Sequence, residues 1–171
     1  MKSPLDPSHR GVNDLPEREP NVTEERNLAA IARSIVDENR FMSLGTADAS
    51  GTPWVSPVWY ASVSYRDFVW VSRPGTRHSS NLAARPEVAI AIYDSHRPGT
   101  WSALYMTAVA EELEDVDLAL EAFNRRSEAQ GLRAWSRAEV VPQGEFRLYR
   151  AGAGEQFVLG DHDARLPVHL E

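Results

Sequence analysis

From Phe41 to Glu111 the apolar residues come in short alternating or aliphatic runs, cut every few positions by Gly, Pro, Asp and Ser, and this punctuation restricts the chain to antiparallel strands joined by tight turns. The runs are Phe41 to Ala47, Thr52 to Val63, Phe68 to Ser72, Val88 to Tyr93 and Trp101 to Glu111. A last one covers Glu145 to Leu159, with a break expected at Ala151 to Gly154. Val88 to Tyr93 is apolar on both faces, which predicts a central strand. Six or so strands of this kind remove their sticky edges by closing on themselves, so the pattern predicts a small closed or nearly closed β-barrel.

Helical spacing flanks the strands. Leu28, Ile31, Ala32, Ile35 and Val36 share one face of a predicted helix from Val22 to Asn39, which Asn21 and Glu24 would cap. A second helix is predicted over Asp115 to Gln130 through Val116, Leu120 and Phe123. Between them, Ser79 to Ala84 is a short helix stopped by Arg85-Pro86, too brief to stand alone. A chain of 171 residues at 42% hydrophobic supports one core. It divides into a flexible N-terminal arm (residues 1–20), a barrel domain (21–160) and a polar C-terminal tail (161–171).

Composition excludes several classes of function. A formal charge of −7, from 18 basic and 25 acidic residues, argues against a nucleic-acid surface, so any anion site must be built locally. Every basic side chain except Lys2 is an arginine, which favours planar forks over ammonium groups as anion ligands. With no cysteine there is no thiolate chemistry and no cysteine-ligated zinc. No run approaches the roughly 18 apolar residues of a spanning helix, so a cytoplasmic location away from membranes is expected. His162, Asp163 and His169 read as solvated polar residues, and no metal site is expected.

The specific signal lies in two blocks. Leu44 to Tyr60, reading LGTADASGTPWVSPVWY, is followed by Val71 to Leu82, reading VSRPGTRHSSNL, and then by Arg85-Pro86-Glu87-Val88. Together they resemble the FMN-binding split β-barrel family, the pyridoxamine 5′-phosphate oxidase-like flavoproteins, over about Phe41 to Leu113. The resemblance implies a mainly β fold with flanking helices, a six-stranded antiparallel split β-barrel, and a homodimer whose two subunits together hold the flavin. It places the flavin ring on backbone groups at Val55, Ser56, Pro57, Val58, Val71 and Ser72. It places the phosphate at the loop and short helix of Arg73, Thr76, Arg77, His78, Ser79 and Asn81. Trp101 would reach across the dimer toward the ligand.

Physical chemistry of the loop agrees. A Gly75 turn running into a helix exposes unpaired amides at the positive end of a helix dipole, with hydroxyls from Thr76, Ser79 and Ser80 beside them. An FMN phosphate carries about −1.5 to −2 charges if it titrates like a phosphorylated side chain, and Arg73 with Arg77 would balance it. The competing reading is a plain helix cap with solvated arginines. His78 stands where the family usually has lysine, so the contact would depend on the protonation of an imidazole. Pro57 predicts a bulge or an end in its strand's ladder. Trp54, Trp59 and Trp70 read mainly as barrel filling.

Three functional readings follow from the resemblance. The first is an FMN-dependent oxidoreductase acting on a small molecule, fed by a nicotinamide or another donor. The second is a reductase on the same fold using the deazaflavin coenzyme, for which Arg66, Arg97 and Arg125 are candidate partners. The third is a non-catalytic module binding FMN or haem. No catalytic residue is assigned, since a flavin carries its own chemistry.

Overall fold

The computed structural model describes residues 22–95 and 102–170, with side chains from Arg26 onward. The cap expected at Asn21, the arm over residues 1–20, Arg97 and Trp101 lie outside the described residues.

The helical stripe behaves as its spacing predicts: α1 (Val22–Glu38) buries Leu28, Ala32, Ile35 and Val36. The period then changes. β1 (Phe41–Ala47) and β2 (Pro53–Trp59) form a hairpin with Phe41 opposite Trp59 and Ala47 opposite Pro53. Its turn is closed by Asp48, whose Oδ1 accepts from the Ser50 amide, the Ser50 hydroxyl and the Thr52 amide. Gly51 supplies the positive φ, +89°, that the turn needs.

The run expected from Thr52 to Val63 is cut in two at Tyr60. β2 stays with β1, while β3 (Ala61–Val63) pairs with β4 (Asp67–Ser72) at the far end of the sheet. Tyr60 is fully buried, and its hydroxyl donates to the Val36 carbonyl at 2.8 Å, so the chain turns this corner around a side chain held by α1. There follow α2 (Arg77–Ala84), β5 (Glu87–Tyr93), β6 (Ala103–Glu112), α3 (Asp117–Ala129), a short α4 (Arg137–Val140), β7 (Arg147–Leu159) and β8 (Arg165–Pro167). The strand order is β2-β1-β5-β6-β7-β4-β3, antiparallel throughout, with β8 added to β7. β2 and the β3–β4 pair are the two ends of that path, so the barrel is split between them.

Four sequence expectations need correction. Among the described residues the sheet has eight strands where six were expected: the Tyr60 corner divides one, and β8 comes from residues read as a polar tail. Behind the charged turn at Asp161–Asp163, Leu166, Val168 and Leu170 alternate at strand period, and Val168 and Leu170 are buried in the main core. β7 is continuous; at the expected break Gly154 and Glu155 together oppose Thr107, a bulge, and a Cβ on Gly154 would lie 3.0 Å from Thr107 Oγ1. β5 is central but is not covered on both faces, because Ala89 and Ala91 are apolar by composition yet face outward. β4 is covered on both sides: Phe68 and Trp70 enter the main core, and Val69 enters a second cluster with Leu120, Phe123 and Leu148. Pro57 neither bulges nor ends β2, which pairs through it with Ser43; an edge strand tolerates proline because half of its N–H groups point away from its single neighbour.

α3 is fixed over this second cluster by Arg126, whose Nη2 donates to the Val36 and Asn39 carbonyls, at 3.0 and 2.6 Å, at the C-terminal end of α1. The docked C-terminus makes a direct prediction. Leu170→Ala should cost about 2 kcal/mol or more in urea unfolding, as for other buried leucines, whereas a solvated tail would leave the midpoint unchanged.

Candidate functional site

β4 ends at Ser72, and the chain turns through Arg73, Pro74 and Gly75 into α2. Thr76 caps the helix from an extended conformation (φ −71°, ψ 154°): its hydroxyl accepts from the Ser79 amide at 3.4 Å and its carbonyl from the Ser80 amide at 2.9 Å. This cap starts the helix two residues before the expected Ser79. The amides of Arg77 and His78, the first two of α2, have no acceptor within the helix and point out of its positive end. The outer side of the turn is open, since a Cβ on Gly75 would meet nothing within 4 Å.

The polar side chains of this segment gather behind the turn. Thr76 Oγ1 lies 3.1 Å from the Arg73 carbonyl, 3.2 Å from Ser72 Oγ and 2.9 Å from Ser79 Oγ, and the Tyr149 hydroxyl lies near Ser79. Burial raises the Tyr149 pKa. His78 is half-buried at the centre: Nε2 pairs with Ser72 Oγ at 2.9 Å and approaches Thr76 Oγ1 at 3.2 Å, while Nδ1 pairs with Ser56 Oγ on β2 at 3.2 Å. The ring therefore spans the split from β4 to β2. Burial lowers its pKa from the ordinary 6.5, so it is neutral at pH 7.

The two arginines point outward and differ. Arg73 is engaged by Glu145, 2.7 Å away, and lies over the Phe146 ring. Arg77 lies 4.3 Å over the Trp54 ring, whose indole N–H donates to Ser56 Oγ, and among the described residues no carboxylate forms an ion pair with it.

Next to this cluster a cavity of about 460 Å³ opens along the split. Its strand side is made by Pro57, Val58, Val71 and Ser72, with His78 at one end. Facing them are Phe123, Leu132 and Trp135 from α3 and the loop after it. That loop is rigidly held: the Asn124 side chain makes two 2.8 Å bonds to the Trp135 backbone, and Arg133 stacks 4.0 Å over Trp135 while pairing with Glu139. Arg133 and the Ser136 backbone and hydroxyl pull the Glu139 carboxyl down to about 2.

Most residues expected at the site are thus brought together: Ser56, Pro57, Val58, Val71, Ser72, Thr76, Arg77, His78 and Ser79. Arg73 is close but paired. Val55 is exposed on the outer face of the sheet, and Asn81 is buried, donating to Thr46 Oγ1 at 3.0 Å. Of the deazaflavin candidates, Arg125 pairs with Glu121 on the exposed side of α3. The wall formed by Phe123, Leu132, Arg133 and Trp135 was missed; Phe123 shows only as a helix-face residue, and nothing local marks the loop.

Residues 28–156 match the family model described as pyridoxamine 5′-phosphate oxidase, a span running from α1 through most of β7. The chain belongs to the pyridoxamine 5′-phosphate oxidase family. Solved structures agree on the fold. The haem storage protein HutZ from Vibrio cholerae superposes with a TM-score of 0.60 at 23% identity, over 77% of this chain and 94% of that one. A putative pyridoxamine 5′-phosphate oxidase from Listeria innocua gives 0.61 at 16% identity, over 78% and 99%. A protein described as an F420 reductase gives 0.55 at 17%, over 72% and 94%. No curated protein sequence matches the chain. The same fold thus stands in proteins whose descriptions name different ligands.

The depressed His78 pKa has a defined sign. Below about pH 6.5 the unfolded chain binds a proton that the folded chain resists, so the stability carried by the neutral ring is complete above that pH and is lost as pH falls through it toward the folded value. Urea midpoints measured from about pH 7.5 down to about pH 5.5 should fall less steeply in His78→Gln than in the native chain; parallel curves would refute the burial of this imidazole.

Proposed function

We propose that the chain is an FMN-dependent oxidoreductase acting on a small molecule. The observation that carries this reading is the junction of two unlike surfaces: a Thr76-capped helix start with the Arg77 side chain on its first residue, and a cavity lined mainly by apolar and aromatic side chains. The first suits a phosphate, through charge-assisted hydrogen bonds and the helix dipole. The second, at about 460 Å³, is in the range of small-ligand pockets and suits a planar uncharged ring. Val58 and Val71 would support the ring from the strands, Leu132 and Trp135 would shield it from water, and Ser72 and His78 would offer it hydrogen bonds. Bound there, the flavin would supply two-electron chemistry between a donor such as a nicotinamide and a substrate.

Haem is the less supported ligand. To reach iron, His78 would have to give up a bond to Ser56 or to Ser72 and Thr76. The deazaflavin coenzyme would need cations for its acidic tail, and Arg125, one of those proposed, is engaged by Glu121 on the exposed side of α3. Absorbance of the purified protein, or titration with each ligand if it is colourless, distinguishes the three; haem or deazaflavin bound in preference to FMN would overturn the proposal.

Arg77→Ala should weaken FMN binding about ten- to a hundredfold, the effect of losing a charge-assisted hydrogen bond of about 1.5–3 kcal/mol. Fluorescence titration reads this directly, and unchanged affinity would remove Arg77 from the site. We also propose a homodimer through the outer sheet face, where the small side chains of Ala89 and Ala91 lie between the exposed Val55, Tyr93 and Val109. This face continues to the cavity through Pro57, so a second copy would complete the site. Light scattering should give the mass of two chains, and Val109→Arg should shift it toward one; a native monomer would refute the arrangement.

A further inference from the structure

The position next to Arg77 is filled by an imidazole with an unusual set of partners. Both ring nitrogens of His78 meet hydroxyls, Ser56 Oγ on one side and Ser72 Oγ with Thr76 Oγ1 on the other. A hydroxyl both donates and accepts. With the ring neutral, one nitrogen accepts a serine proton and the other donates; with the ring charged, both donate and both serines accept. A carboxylate or a carbonyl at either place would have favoured one state. Trp54 Nε1 donates to Ser56 Oγ and leaves that oxygen its own proton and a remaining lone pair, one for each state of the ring.

We propose that His78 is the proton-uptake residue of this site: an anionic ligand seated at the α2 turn and in the adjoining cavity converts the imidazole to imidazolium without breaking its bridge from β4 to β2. The charged groups nearby set the balance. Arg77 and Arg73 share its segment, Arg73 held by Glu145, and Arg133 faces the cavity from the loop after α3, held by Glu139. β2 brings Trp54, Ser56, Pro57, Val58 and Trp59 to this region and β4 brings Val71 and Ser72, none of them ionisable, and the Tyr149 hydroxyl on β7 lies near Ser79. Burial outweighs everything else and keeps the ring neutral. A negative charge beside Thr76, whose hydroxyl is shared by the helix cap and by Nε2, reverses that balance. Proton uptake then offsets part of the ligand's charge at the position where the family usually has lysine, and the added cation is present only when an anion is.

This inference rests on the proposed FMN site, and its test separates the two. FMN is titrated calorimetrically into the full chain near neutral pH in buffers of different ionisation heat, beside His78→Gln. The native chain should take up protons on binding and the variant should lose that uptake; protonation of the FMN phosphate is common to both and cancels. FMN binding without uptake, or with the same uptake in the variant, overturns the inference and leaves the FMN reading standing. Failure of the native chain to bind FMN overturns both. If the variant does not fold, the His78 imidazole resonance of the native chain, titrated with and without saturating FMN, gives the answer: a pKa that rises supports the inference, and one that stays put overturns it.

Discussion

Between β2 and β4 the barrel has no backbone ladder. The chain passes directly from β2 into β3 through Tyr60, but β2 commits its hydrogen bonds to β1 and β3 commits its own to β4. A closed barrel would satisfy these edges by pairing them; this one leaves a gap whose two sides are Pro57 and Val58 on one strand and Val71 and Ser72 on the other. Proline at the edge withholds a donor that a foreign strand would otherwise find. α3 and its following loop cover the gap from outside, and His78 crosses it with side-chain bonds. The site exists because the sheet fails to close.

Charge follows the same local logic. A chain of net charge −7 repels anions at a distance, yet the α2 turn collects amides, hydroxyls and two arginines within one short segment. The exposed Arg73–Glu145 pair is worth about 1 kcal/mol at most, so a phosphate that bound more tightly would draw Arg73 away. Arg77 is held by the flat face of Trp54, which would limit the rotamer freedom lost in engaging an anion. Trp54 also donates to Ser56, and so links the cation outside the turn to the imidazole behind it.

The structural neighbours carry descriptions as different as haem storage and F420 reduction on a common barrel. A fold of this kind supplies a gap and a helix start, and the ligand is selected by the side chains that line them. Here those are a hydroxyl-bound imidazole at one end and a stacked Arg133–Trp135 wall at the other, the latter with its charge already answered by Glu139.

Local sequence was enough for the elements that make their own arguments. The stripe of α1 and the Asp48–Gly51 turn each depend on residues within four positions of one another, and the polar groups from Ser72 to Ser79 are close neighbours in the chain. The two quoted blocks were likewise sufficient for the family. What escaped depends on partners distant in the chain. Tyr60 breaks a strand because Val36 takes its hydroxyl, and Leu170 is core because β7 pairs with β8. Asn81, expected at the site, is turned inward by Thr46, and Trp135 becomes a wall only through Asn124 and Arg133. Hydrophobic period and turn chemistry are short-range properties and can be read along a chain; which edge stays unpaired, and what then fills the gap, is decided by packing between segments far apart in it, and only the folded structure holds that information.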